Sequence, residues 1–431
     1  MNPYYTVGTA KIEITPPLDI PYLGLFPRHC FFQGVHDPLY ARALVIGDGE
    51  TDIAVIDADA IGFDNLLMGT DRNFTGELRA QISRETGIPA HNILFASPHI
   101  HSTPDTLNFR PLVESPGAEV WLESLIGKIS AAVAMTKRSR CKACMKVSRG
   151  RVSGISVNRR GDDCLDTELI AVLFESLDSD DYAMLVHYAC HPVIVQVQDQ
   201  LSGDYVGALQ TACEKAVNKP GTCLFLQGAC GDINPKVNDS RSFDDVHATG
   251  LALAGEAIKL YGLMSFKDYP RQPVSVRSGI SQVKLPSSPL PPPEERQAIE
   301  KALRDYQDRG CRDKQERDRF SWLEDMSHRF KQDMDFFDAE IQVFRIGDCL
   351  LAAVSGELLC ETGLAVKQMA RPLTGLLVGY ANGYVGYIAS PAAWAKGGYE
   401  VSPGPWCKVG PGGYEIVENS LADLIRELKA E

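Results

Sequence analysis

Short apolar runs bounded by turn residues alternate along this chain with segments of helical spacing, and that alternation restricts it to a mixed α/β architecture. Residues 41–46 and 53–56 read as strands joined by a hairpin at Gly47-Asp48-Gly49, and 74–85 has helical spacing stopped by Gly87. Further strands are expected near 93–97, 143–150, 168–174, 183–190, 222–227 and 374–380, and helices near 118–136 and 205–217. A second hairpin is expected through Gly347-Asp348, joining 341–346 to 350–354, with a helix following from Glu357. Leu421, Leu424, Ile425 and Leu428 mark an amphipathic closing helix. No internal repeat at a fixed period is present, which argues against solenoids and propellers.

The stretch Leu285-Pro286-Ser287-Ser288-Pro289-Leu290-Pro291-Pro292-Pro293 interrupts this pattern and should be extended and semi-rigid. The residues after it, 294–332, are dense in charge with apolar positions at helical spacing, as in a solvated helical pair. The chain therefore reads as a single large catalytic domain over 1–431, mixed β-sheets packed with helices, with 284–332 as a proline-rich linker plus charged helical insertion within it.

Composition excludes several classes. The formal net charge is -13, with 56 acidic against 43 basic residues and no clustered Lys/Arg stripe, so nucleic acid is not an expected partner. No run of about 18 apolar residues occurs, so no transmembrane segment is expected. The first residues lack a basic start and an apolar signal core, which reads as a soluble, cytoplasmic protein. Twelve cysteines are too sparse for a disulfide scaffold and fit reduced, buried thiols. The lone Cys141-Lys142-Ala143-Cys144 reads as incidental.

Chemistry is suggested by where the histidines fall. Ile93-Leu94-Phe95-Ala96 runs into Ser97-Pro98-His99-Ile100-His101-Ser102, and residues two apart on extended chain share a face, so both imidazoles can converge on one point. Imidazole is the commonest protein ligand for zinc, although an isolated H-x-H fits ordinary polar loop residues equally well. Another strand ends in Cys190-His191-Pro192, where His191 alone fits a hydrogen-bonded residue as readily as a ligand. Gly228 to Pro235 forms a glycine-bearing loop whose backbone N–H groups suit a substrate oxygen if its glycines take positive φ, or simply a tight turn. In Val354-Ser355-Gly356-Glu357, Ser355 fits a helix cap and Glu357 the first helical turn.

Taken in order, His99-Ile100-His101-Ser102, Ala189-Cys190-His191-Pro192, Gly231-Asp232-Ile233-Asn234-Pro235, Ser355-Gly356-Glu357 and Asn382-Gly383-Tyr384-Val385-Gly386-Tyr387-Ile388 resemble the neutral/alkaline (non-lysosomal) ceramidase family. So do Val7-Gly8-Thr9-Ala10, Ile14-Thr15-Pro16, the stretch ending Leu39-Tyr40-Ala41-Arg42, and Ser202-Gly203-Asp204. The resemblance implies one zinc held by His99, His191, Glu357 and Tyr387, with His101 facing the reacting carbonyl. It also implies that Tyr399 and Arg159 share the catalytic work and that Gly231, Asp232 and Asn234 line the substrate, leaving Tyr384 as a packing residue. Neutral imidazoles with one carboxylate leave a divalent ion residual charge and an open position, the setting for hydrolysis of an acyl bond.

The expected activity is thus zinc-dependent hydrolysis of an amide (N-acyl) bond in a small-molecule or lipid-like substrate. Two departures bear on that substrate: Thr103 stands where the family has glycine, and Asn234 where it has serine. A small polar ester, lactone or sugar derivative on the same zinc scaffold remains the alternative, followed by a non-catalytic binding protein. Metallo-β-lactamase chemistry needs an aspartate at the position of Thr103, and an eight-fold barrel is contradicted by the long hairpins.

Overall fold

The computed structural model describes residues 3–21, 31–109, 112, 115–219 and 221–430. In chain order, the first half comprises β1 (Tyr5–Glu13), β2 (Gly34–Val35), β3 (Tyr40–Gly47), β4 (Asp52–Ala58), α1 (Phe74–Thr86), β5 (Ile93–Ala96) and α2 (Ala118–Arg138). There follow β6 (Cys141–Arg151), β7 (Ser156–Asn158), β8 (Glu168–Ser176), β9 (Tyr182–Tyr188), β10 (Gln200–Leu201), α3 (Asp204–Val217), β11 (Gly221–Gln227), β12 (Ile233–Pro235) and α4 (Phe243–Met264). The second half holds β13 (Val276–Pro286), α5 (Pro293–Arg309), α6 (Lys314–Lys331), β14 (Phe336–Ile346), β15 (Cys349–Val354), β16 (Glu357–Leu358) and α7 (Cys360–Ala370). It ends with β17 (Thr374–Val378), β18 (Tyr387–Ile388), α8 (Pro391–Lys396) and α9 (Gly413–Ala430).

Two sheets pack face to face. The larger has the order β11-β9-β8-β6-β1-β3-β4-β5, antiparallel except at its two ends, where β11 and β5 run parallel to their neighbours. The smaller has the order β13-β14-β15-β17. Leu44, Val55, Leu94 and Leu185 of the first meet Phe344, Leu351 and Leu376 of the second in one buried cluster. Strands buried on both faces explain the nearly continuous apolar runs in the sequence. The outer face of the large sheet carries α1 to α4, and that of the small sheet carries α7 and α9, giving four layers.

Long-range polar ties lock the layers. Arg79 on α1 makes a bidentate pair with Glu340 on β14, both contacts 2.8 Å, and its Nε donates to the Ile93 carbonyl. Asn382 accepts from the Phe95 N–H at 2.9 Å and donates to Gln342 at 2.9 Å, pinning the end of β5 against the second sheet. Residues 284–332 supply the end of β13 and the pair α5 and α6. This pair is not wholly solvated: Arg329 on α6 is 1% exposed and donates to Ser287 Oγ at 2.9 Å.

Three local expectations are corrected. The helix expected from Glu357 begins at Cys360, because Glu357 is drawn into the ladder of β16 with β18. Ser355 is accordingly no cap; its hydroxyl contacts the backbone of Glu340 at 3.2 Å, and the Cys360 N–H is capped instead by Asp232 Oδ1 at 2.8 Å. His99 does not sit on extended chain: β5 stops at Ala96 and His99 takes φ 71°, so a left-handed turn, rather than strand alternation, aims it. Gly228 and Gly231 are not in positive φ either. They are small because the chain is crowded there, a Cβ on Gly231 falling 2.9 Å from the Leu358 carbonyl oxygen.

Candidate active site

The two histidine-bearing loops follow β5, at one edge of the large sheet, and β9, next to the opposite edge strand β11, and one side chain on β11 holds them in register. Gln227, at the end of β11, donates through Nε2 to the carbonyls of Pro98 and Cys190, both at 2.8 Å. These are the residues immediately before His99 and His191. Gln227 is 1% exposed, so its amide is committed to this bridge.

Each imidazole is then oriented by its far nitrogen. His99 Nδ1 donates to the Ile61 carbonyl at 2.6 Å, and His191 Nδ1 to the Cys230 carbonyl at 2.5 Å. With Nδ1 as the donor, the Nε2 lone pair of each ring faces inward. Tyr380 stacks on the His99 ring at 3.9 Å between centroids and 15° between planes. Between the rings lies Glu357 Oε2, 3.6 Å from His99 Nε2 and 3.5 Å from His191 Nε2. Its other oxygen accepts from Tyr384 at 2.5 Å, which corrects the reading of Tyr384 as packing alone.

These spacings fit a small tetrahedral ion. Two donors about 2.1 Å from such an ion stand about 3.4 Å apart. The Glu357 contacts match that edge. His101 also approaches, with Nε2 3.2 Å from His99 Nε2, and the ligating atoms of His99, His101 and His191 lie within 4.8 Å of one another, so this buried group has the makings of a metal site. Tyr387 pairs directly across the β16–β18 ladder from Glu357, which places both side chains on one face.

The protonation states suit the same purpose. Burial pushes the His99 imidazole down to about 3, with Glu357 opposing and His191 adding, and holds His101 well below its ordinary value. Burial alone would raise Glu357, but the facing imidazoles and the Tyr384 hydroxyl bring it below the usual carboxylate range. Neutral imidazoles around an ionised carboxylate are the state a cation requires. Burial raises the Tyr387 phenol well above its ordinary value, opposed by Arg159.

Arg159 reaches Tyr387 Oη at 2.9 Å and the Gly231 carbonyl at 2.7 Å, and its Nε meets Glu400 Oε1 at 2.9 Å. Glu400, which sequence reasoning passed over, is 2% exposed and also binds the Arg160 guanidinium. Its signal was a single carboxylate beside Tyr399. Tyr399 is 47% exposed, stacked on Trp406 at 4.7 Å, and shares a cleft of about 490 Å³ with His101, Arg159, His191, Asn234 and Tyr387. Of the expected substrate-lining residues, Asn234 lines this cleft, whereas Asp232 is occupied by the Cys360 N–H and Asn158. Gly231 is likewise engaged, its N–H donating to the Leu358 carbonyl at 2.9 Å.

No family model matches the chain. By structure it is similar to neutral ceramidase from Pseudomonas aeruginosa, with a TM-score of 0.75 and 16% identity over 99% of this chain and 75% of that one. A ceramidase complexed with C2 matches with the same values. The α/β architecture is thus the fold of those proteins, and the likeness supports the family resemblance of the motifs. Among the described residues, no helix is long and apolar enough to cross a membrane.

Proposed function

We propose that this chain is a zinc-dependent hydrolase of a carboxamide bond, built on the ceramidase plan. The observation that carries the reading is the convergence of His99 Nε2 and His191 Nε2 on one oxygen of Glu357, each ring fixed from behind by a backbone carbonyl. His99, His191, Glu357 and Tyr387 are the residues that would hold the ion. When bound, zinc supplies Lewis acidity and lowers the pKa of water it binds towards neutrality.

The chain's own groups account for the rest. His101 is neutral and part-buried at the mouth of the cleft, where its Nε2–H donates to the carbonyl oxygen of the scissile amide. Arg159, kept charged by Tyr387 and Glu400 against the cost of burial, adds positive potential to the same side as negative charge develops. Tyr399 lines the same cleft and passes a proton to the departing nitrogen.

The test joins metal analysis to activity. His99→Ala and Glu357→Ala are expected to lose zinc and turnover together, whereas Tyr399→Phe keeps zinc and slows turnover. Equal zinc content in wild type and the His99 variant refutes the ligand assignment.

A further inference from the structure

The walls of the cleft bear on what that hydrolase would act on, an inference resting on the reading above. A lipid amide with two alkyl chains gains affinity by burying them, at about 25 cal/mol per Å², and needs a groove of aliphatic side chains. Among the described residues of this cleft, Val193 is the lone aliphatic side chain. The remaining surface is amide, aromatic ring, glycine and charged groups.

The cationic groups are spent internally, and the Asp239 carboxylate accepts from the amides of Gln196 and Asn238. Arg159 and Arg160 are held by Glu400, and Lys396 by Asp162 at 2.6 Å. An anionic substrate would therefore find its counter-charges already paired. The amides are freer: Asn234 Nδ2 has no partner among the described residues, and Asn234 Oδ1 has only a 3.5 Å contact with Arg159. Asn238 uses its Nδ2 on Asp239 at 3.3 Å, leaving its carbonyl oxygen on the cleft wall. In the same cleft the half-exposed Tyr399 ring is braced flat by Trp406, with planes 21° apart. An aromatic plate in one cleft with neutral amide donors and acceptors matches a ring with C–H groups on its face and hydroxyls on its edge.

We propose that the substrate is a small, uncharged, polyhydroxylated amine bearing a short N-acyl group, of the N-acetyl amino sugar class, and not a two-chain lipid amide. In the reaction water adds to the acyl carbon, the C–N bond breaks as the C–O bond forms, and a proton passes to nitrogen to release the free amine and a short carboxylic acid.

Zinc-loaded full-length protein would be assayed for amine release from N-acetylhexosamine, 4-nitroacetanilide and a C12 ceramide in detergent micelles. The expected kcat/KM for the hexosamine derivative exceeds that for ceramide by at least ~10-fold, and Asn234→Ala raises its KM more than it lowers kcat. Equal or better cleavage of ceramide, or cleavage of the anilide alone, overturns the substrate inference while leaving a hydrolase. Failure to cleave any of the three overturns the hydrolase reading itself.

Discussion

Tyr384→Phe isolates one hydroxyl whose partner is known. The ring stays, keeping its packing against Phe109 at 6.2 Å, but the 2.5 Å donor to Glu357 Oε1 is removed. Glu357 is 2% exposed, so water does not readily replace that donor, and hydrogen bonds to charged groups contribute about 1.5–3 kcal/mol. Partners that orient a metal ligand typically change affinity by roughly 10- to 100-fold, which is about 1.4–2.7 kcal/mol and overlaps that range. The variant should therefore bind zinc roughly 10- to 100-fold more weakly in competition with a chromogenic chelator, with a small change in the melting temperature of the metal-free protein. Zinc affinity within about threefold of wild type would show that Glu357 is positioned without this hydroxyl.

Glu400→Gln leaves Arg159 and Arg160 without their shared carboxylate; turnover should fall by up to ~100-fold through misplacement of Arg159, with zinc content unchanged, and a variant as active as wild type contradicts this. Asp57 is fully buried with Oδ1 unpartnered among the described residues, and burial, opposed by Arg42, pushes its pKa up to about 7. The folded state thus holds a proton that the unfolded chain releases near pH 4, so Asp57 lowers stability as pH rises from about 4 to 7, and the full penalty stands above 7. Asp57→Asn should flatten the fall in melting temperature across that window; an unchanged slope would assign the pH dependence elsewhere. Gly250→Ala sets a methyl 2.6 Å from Ala208 Cβ where α4 crosses α3, and urea unfolding should show a loss of about 1–3 kcal/mol, a stabilised variant being the contrary result.

Most of the longer strands and helices were legible, the strands as continuous apolar runs and the helices by an apolar face of their own period, but the central strand β1 was not assigned. Helix α4 was not assigned: Gly250, Gly255 and Gly262 dilute its helical signal, and at least Gly250 is there for the close crossing with α3. The strand β13 was hidden by partial burial, its residues alternating between half-buried and exposed beside the proline run. The start of α7 could not be read locally, because its cap, Asp232, comes from 128 residues earlier. The site divides in the same way. His99, His191, Glu357 and Tyr387 stood in recognisable motifs, but Gln227, Tyr384 and Glu400 act through partners that only the folded chain brings near.

The proposed donor set is divided between the two halves of the chain. His99 and His191 precede the α5–α6 turn near Gly310, and Glu357 and Tyr387 follow it. A polypeptide severed at that turn would carry both imidazoles on one fragment and the carboxylate with its phenol on the other. On the proposed assignment neither piece alone would chelate the ion fully, so metal uptake would act as a coincidence detector, reporting reassembly of the two fragments.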